Sequence, residues 1–500
     1  MPFFNNSSKL LFLLALLIVG IPGITGLKYY VDNSVVSSGD GGISTPFKSV
    51  SEALAQVLTG NTNLKDNAII VLSPTSKPYM LAVNSAGTPL NIIGKSNPTT
   101  SLSIISMAAD QNETFELPQL QSPDHCSELP ILHVVNTTFQ TLSNLLFHGV
   151  YLQFADLSTP ISLNVSTTNT VSLAAACLGL QSSLPYKFKF NIADSVSSVM
   201  LHQVLLAANT GDFSLSTSVP TTNITNLTIW FDSMTSETVL GPWFSVSGQN
   251  AVNAFLTNVA FASNQTISSP GIANVTLMTI RIQSNLAINN LIFSHLHIED
   301  SGSVLFSLQA SDIVINETSF VNFYYIDQSF TPFDLFEIQA QNQLIMENIK
   351  INSSNLTSRL LIEAYDVQKS GNVTVQGLLI SNSVFSNISI IEPDANTTLL
   401  SQITILDSSL TDAPILNAKT GTLHTWRDFY INNTVVQGSL MQTNFVGSSY
   451  NISFQNFTML NSELISGTFF NLKFTYEHAP LVRSEYNALL LNDFLVDNTS

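Results

Sequence analysis

Leu27-Lys-Tyr-Tyr-Val-Asp32, Ser37-Ser-Gly-Asp-Gly-Gly42, Thr45-Pro-Phe-Lys-Ser-Val-Ser-Glu-Ala-Leu-Ala-Gln56, Asp66-Asn-Ala-Ile-Ile-Val-Leu72 and Pro89-Leu-Asn-Ile-Ile-Gly94 decide how the chain is read. In order they spell a short strand, a glycine-rich turn, an amphipathic helix, an apolar strand and a further strand. Thr45 followed by Pro46 predicts the start of the helix, with a capping hydroxyl and then a proline whose missing N–H does no harm there. Ser49 and Glu52 also have capping-box spacing. Phe47, Val50, Leu54, Val57 and Leu58 fall on one helical face, and Gly60 is expected to end the helix. Such a face suits a plug over the open end of a stack of strands, whose bare edge would otherwise invite pairing with another chain.

Beyond Ile69 the pattern is short apolar alternation broken by Asn, Ser, Thr, Gly and Asp. The second half carries an internal repeat, clearest over 287–500. Phe293, Phe320, Ile351, Ile380, Ile405, Ile431, Met459 and Val496 recur at steps of 25 to 37 residues. Two residues later stand Asn322, Asn382, Asp407, Asn433, Asn461 and Asn498, and one further on Ser354, Ser383, Ser408, Thr434, Ser462 and Thr499. A turn of a solenoid cannot bury its own apolar face, so turns must stack. The apolar member is then expected to point inward over its copies, and the Asn to sit in the bend, where it tolerates left-handed backbone.

The segment 28–94 resembles the entry of secreted pectin lyase-like proteins. That resemblance implies an all-β fold, a right-handed single-stranded parallel β-helix with a short N-terminal capping helix. It divides the chain into a leader at 1–26 and one β-helix domain at 27–500, with 27–94 as cap and first rung. It also implies the possibility of a polysaccharide lyase or glycoside hydrolase, but the motifs of those enzymes do not carry over. Asn-Thr-Asp, Asp-Asp, Gly-His-Gly and Gly-His-Asp do not occur, and Arg281-Ile282 is followed by Gln283 rather than lysine.

Composition narrows the function classes. Of 500 residues, 16 are Lys or Arg and 34 are Asp or Glu, a formal net charge of −18. Without a basic run the chain is a poor match for nucleic-acid phosphates or anionic lipid. Lys9 followed by the apolar run Leu10 to Ile21 predicts a cleaved secretory signal, and no later stretch is apolar enough to span a membrane once the signal is removed. Cys126 and Cys177 either pair, as an oxidising compartment allows, or remain buried free thiols.

Asn-x-Ser/Thr triplets are dense, and Asn112, Asn136, Asn164, Asn226, Asn274, Asn316, Asn372, Asn387, Asn451 and Asn456 are expected glycosylation acceptors. In Asn372-Val-Thr-Val and Asn451-Ile-Ser-Phe, strand alternation puts the polar pair on one face and the apolar pair on the other.

Local chemistry is thin. His295-Leu-His297-Ile-Glu299 would place two imidazoles and a carboxylate on one strand face, a set able to hold zinc and equally at home as an ordinary polar face. Glu299 with Asp300, Glu363 with Asp366 and Glu392 with Asp394 are acidic pairs of the kind glycoside hydrolysis uses, though such pairs in bends are more commonly solvated surface. Trp230, Trp243, Trp426, Tyr324 and Tyr325 could stack on sugar rings but more commonly serve packing. No cofactor is called for. The expected product is a secreted or cell-surface glycoprotein rod that contacts carbohydrate or surface proteins. A polysaccharide-degrading enzyme and an ectodomain of a larger anchored protein are the alternatives.

Overall fold

The chain forms a parallel β-solenoid. The computed structural model describes residues 26–497 except 61, 83–88, 96–99, 112–122, 155–160, 167, 169, 181–187, 194–195, 197, 209–212, 218, 232–243, 248–250, 264–275, 301–303, 328–335, 358–359, 366–370, 388, 419–422, 447–450 and 476–487. The leader, Asn112, Asn274 and Trp243 lie outside the described residues.

One parallel ladder runs from Leu27–Val31 through Ala68–Leu72 and onward, coil after coil, to Asn451–Leu460 and Ala488–Asp497. A second face is built from strands such as Phe244–Ser247, Met278–Arg281 and Met441–Val446. In the second half a third, smaller sheet joins His297–Asp300, Tyr324–Asp327, Asn355–Thr357, Val384–Ser386, Ser409–Thr411, Val435–Gln437 and Glu463–Ile465. The repeat positions stack as their spacing predicts. Phe293 registers with Phe320, Phe320 with Ile351, Ile351 with Ile380, Ile380 with Ile405, Ile405 with Ile431 and Ile431 with Met459.

Single residues with left-handed backbone turn the chain between faces. One column holds His295, Asn322, Ser353, Asn382, Asp407, Asn433 and Asn461, the bend position read from the repeat. A second interrupts the long strands themselves and includes Asn226, Asn258, Asn290, Glu317, Asn348, Gly377, Gln402, Asp428, Asn456 and Asp493. The ladder register steps over this residue in each coil, as between Thr257 and Val259. Left-handed backbone strains most side chains, but Asn and Asp offset it by local hydrogen bonding. Here the bonds run between coils: Asn258 Nδ2 donates to Asn226 Oδ1 at 2.7 Å, Asn290 Nδ2 to Asn258 Oδ1 at 2.9 Å, and Asn456 Nδ2 to Asp428 Oδ1 at 2.7 Å.

The hydroxyl that follows the bend has its own task. Ser383 Oγ donates to the Ser381 carbonyl at 2.7 Å and accepts from the Ser354 N–H at 3.2 Å, while the Ser383 N–H donates to Ser408 Oγ at 3.2 Å. Ser354, Ser383, Ser408 and Ser462 are buried and accept the N–H of Phe323, Ser354, Ser383 and Thr434; without them those N–H groups would be left unpaired at a penalty of about 1–3 kcal/mol each.

The interior is one apolar column. Phe261, Phe293 and Phe320 stack from one face with ring centroids 5.4 and 4.7 Å apart, and Phe306 and Phe336 stack from another at 4.7 Å. The two stacks meet edge-on where Phe293 and Phe306 lie 4.9 Å apart.

The entry segment differs from its reading in detail. The helix is Val50–Val57 and its N-cap is Ser49, whose box with Glu52 is complete. Thr45 and Pro46 precede it, because Phe47 is held in extended pairing: its N–H donates to the Tyr30 carbonyl and its own carbonyl accepts from Asp32. Gly60, at φ +62°, lies past the helix, in a small antiparallel hairpin between Leu58–Thr59 and Asn63–Leu64. Val50, Ala53, Leu54 and Val57 of the helix are buried in the same core as the first coils. Among the described residues no helix is long and apolar enough to cross a membrane.

Candidate functional site

The acidic residues gain their arrangement from stacking. Glu337, Glu363 and Glu392 occupy consecutive register positions, Glu337 opposite Glu363 and Glu363 opposite Glu392. Parallel strands lie ~4.8 Å apart, so three carboxylate-bearing positions follow one another along the rod. Like charges at directly opposed positions destabilise a sheet, and neighbouring polar groups temper this. Gln339 Nε2 donates to Glu337 Oε1 at 2.8 Å, and Ser307 Oγ to Glu337 Oε2 at 3.4 Å. Asn417 Nδ2 donates to Glu392 Oε2 at 3.0 Å, and Glu392 is only 5% exposed. The side chain of Glu363 lies outside the described ones. The pairing that matters here is between coils, whereas the sequence reading paired Glu363 with Asp366 and Glu392 with Asp394 along the chain. Glu337 was missed altogether. The signal for it was available: the three glutamates recur at the period of the coil.

The histidine cluster is set out differently from a flat strand. His295 is exposed and sits in the bend column with φ +54°, its Nε2 3.1 Å from Asn322 Nδ2. His297 begins the next strand and is buried, 4% exposed. A left-handed residue breaks strand alternation, so the two imidazoles meet different surroundings. The Glu299 side chain is outside the described ones. Among the described residues no group of three or more His, Cys, Asp or Glu side chains is placed to hold a metal ion. Trp426 and Tyr325 belong to the buried core.

Cys126 and Cys177 are joined as a disulfide with Cα atoms 5.8 Å apart. Cys177 faces outward from the strand Thr170–Leu180 and Cys126 lies in the 3₁₀ turn Pro123–Glu128, so the bond clasps that turn onto the outside of the rod. The turn covers a small outer cluster with Leu129, Ala175 and Leu205. The two cysteines are not on neighbouring coils: Tyr151–Phe154 runs between the strand after Cys126 and the one bearing Cys177.

The asparagines expected as glycosylation acceptors fall into two groups among the described residues. Asn372, Asn387, Asn451 and Asn456 are exposed. Asn136, Asn164, Asn226 and Asn316 are half-buried, and Asn316 sits within an amide row, donating to Asn289 Oδ1 and accepting from Asn348 Nδ2, both at 3.0 Å. Val373, Val375, Ile452 and Phe454 are buried beneath Asn372 and Asn451, as alternation requires. A cleft of ≈ 660 Å³ beside the helix is lined by Asn33, Lys48, Glu52 and Tyr79. Glu52 accepts from Ser38, Lys48 and Ser49, Tyr79 donates to backbone carbonyls, and Asn33 Nδ2 donates to the Lys77 and Pro78 carbonyls while its buried Oδ1 has no hydrogen-bond partner.

His133 is expected to couple folding to pH. Burial pushes its pKa below the ordinary histidine value, and the bond to Gln153, 2.9 Å away on the next coil, opposes this only in part. The unfolded chain therefore takes up the proton first, and the stability that neutral His133 contributes above the ordinary value, about 6.5, is lost as pH falls through the folded one. Thermal melts at pH 7 and pH 5 are expected to show a smaller acid shift for His133→Gln than for the native chain.

No protein-family profile matches this chain, and no curated protein matches it.

Proposed function

We propose that this chain is a secreted or cell-surface glycoprotein whose rod serves binding, adhesion or structural display, without catalysis. The reading rests chiefly on its outer surface. Asn372, Asn387, Asn451 and Asn456, each in an Asn-x-Ser/Thr triplet, are exposed on the coils, and a row of side-chain hydrogen bonds that includes Asn456 runs from coil to coil on the same rod. Such a surface offers many repeated hydrogen-bonding groups to an extended partner, carbohydrate or protein. The Cys126–Cys177 bond suits an oxidising compartment. We take the solenoid as right-handed, as parallel crossovers nearly always are, with Val50–Val57 closing its first coil in the pectin lyase-like manner.

A secreted preparation treated with an endoglycosidase is expected to lose mass, with peptides containing Asn372 and Asn451 among those converted. On immobilised polysaccharides and cell-surface glycans the chain is expected to bind without releasing sugar. Unglycosylated secreted protein, or release of reducing or unsaturated ends, would overturn the reading. One observation favours hydrolysis instead, the row Glu337, Glu363 and Glu392, because paired carboxylates are what glycoside cleavage needs. Sugar release that disappears in both Glu337→Gln and Glu392→Gln would establish that second reading.

A further inference from the structure

Few large apolar side chains stay exposed on the coils. Among the described residues between the entry segment 27–94 and the strand Ala488–Asp497, the two most exposed are Leu423 at 45% and Val384 at 43%. Each stands directly opposite the asparagine of an Asn-x-Ser/Thr triplet. Leu423 registers with Asn451, of Asn451-Ile-Ser453, on the following coil, and Val384 with Asn355, of Asn355-Leu-Thr357, on the preceding one. Asn451 is exposed and Asn355 half-buried. Side chains at matched positions of a parallel ladder leave the sheet on the same side, and the strands lie ~4.8 Å apart. An amide that carries a sugar at either asparagine therefore holds it within one strand spacing of the exposed apolar side chain. Asn372 shares the column of Asn451, with Thr397 and Leu423 between them.

We propose that the glycan on Asn451 lies over Leu423 and the glycan on Asn355 over Val384, so that sugar completes the apolar packing of the rod. The inference rests on the glycoprotein reading above and assigns these two glycans a structural task. A pyranose ring has apolar C–H faces as well as hydroxyls. With one such face against the leucine or valine, both apolar surfaces leave water, which is favourable in proportion to the area removed, and the hydroxyls on the other side stay hydrated. The covalent tether makes the contact intramolecular, so a sugar that would bind free leucine poorly is held at high effective concentration. The two glycans lean in opposite directions along the rod, since Asn451 follows its apolar partner by one coil and Asn355 precedes it.

Peptide mass spectrometry of the full secreted chain reads first whether Asn451 and Asn355 carry sugar, and hydrogen exchange then reads the strands beneath. Ser453→Ala removes the triplet while keeping Asn451. It is expected to speed amide exchange across Leu423–Asn432 roughly threefold, the size of effect that uncovering part of one leucine gives. Ser453→Thr keeps the triplet and should leave exchange as it is, and so should an endoglycosidase that spares the first sugar. In a Leu423→Ser background Ser453→Ala should make no further difference. Comparing the two backgrounds cancels the loss of the hydrogen bond that Gln455 Nε2 donates to Ser453 Oγ. Thr357→Ala with and without Val384→Ser forms the second cycle, with the same expectation for Val384–Ser386. Sugar-free Asn451 and Asn355 would remove the glycoprotein reading at these positions and the proposal with it. Sugar on both asparagines, with equal effects of the triplet variants in the two backgrounds, would overturn the proposal alone.

Discussion

Phe293→Ala is expected to lower the unfolding free energy by about 3–5 kcal/mol, the usual range for emptying a buried phenylalanine site. The ring is 0% exposed and touches the rings of Phe261, Phe306, Phe320, Phe323 and Phe336, joining stacks from two faces of the rod. Phe261 and Phe320 are fixed above and below it in its own ladder and Phe306 and Phe336 in the ladder of another face, so they cannot close the gap without shifting register, and the cavity term persists. In a solenoid each coil is stabilised only by its neighbours, so the damage stays local. Hydrogen exchange should show the coils around Ile288, Ile315 and Met346 losing protection before those at either end. Val314→Ala, on the outer side of the same region and 38% exposed, should change stability by no more than about 0.5 kcal/mol. Equal losses for the two variants in urea titrations would show that Phe293 is not at the centre of the packing.

Breaking the Cys126–Cys177 bond is the second large effect. The two residues are separated by 51 positions, and the loop-entropy relation gives about 4 kcal/mol for a link of that length. The bond also holds the 3₁₀ turn Pro123–Glu128 over Leu205 and Ala175, so its loss uncovers apolar outer surface as well as loosening the unfolded chain. The double variant Cys126→Ala, Cys177→Ala should melt well below the native protein, and dithiothreitol should bring the native protein down to the same point while leaving the variant unmoved. Two titratable thiols in the freshly purified native chain would contradict the pairing.

What the sequence disclosed and what it hid follow from period. Phe293, Ile351 and Ile405 were readable as one column because a residue that must lie above its own copy recurs once per coil. Asn322, Asn382 and Asn433 were readable as bends because asparagine is suited to the backbone found there. The second column of left-handed residues escaped notice, since Glu317 and Gln402 are not turn-forming types. Its trace is a stretched alternation. Leu344, Met346, Ile349 and Ile351 point inward at steps of two, three and two, the three marking the skipped Asn348. The helix start was misplaced because two capping patterns overlapped, and long-range pairing of Phe47 with Tyr30 chose between them. The glutamate row was passed over because the repeat was followed only at its apolar, asparagine and hydroxyl positions, although Glu337, Glu363 and Glu392 recur at the same period.

The contrast between rigid ladders and tolerant bends has an evolutionary corollary. Copies of the repeat stand 25 to 37 residues apart, yet the strands they contribute align position for position. Variation in length is thus absorbed between the strands, while the register that fixes the interior is kept from coil to coil. A tandem duplication of one coil would insert a unit that fits the coil below it and accepts the coil above. The gene can therefore lengthen or shorten its product by whole units, with new loops free to diversify on a scaffold that does not need to be reinvented.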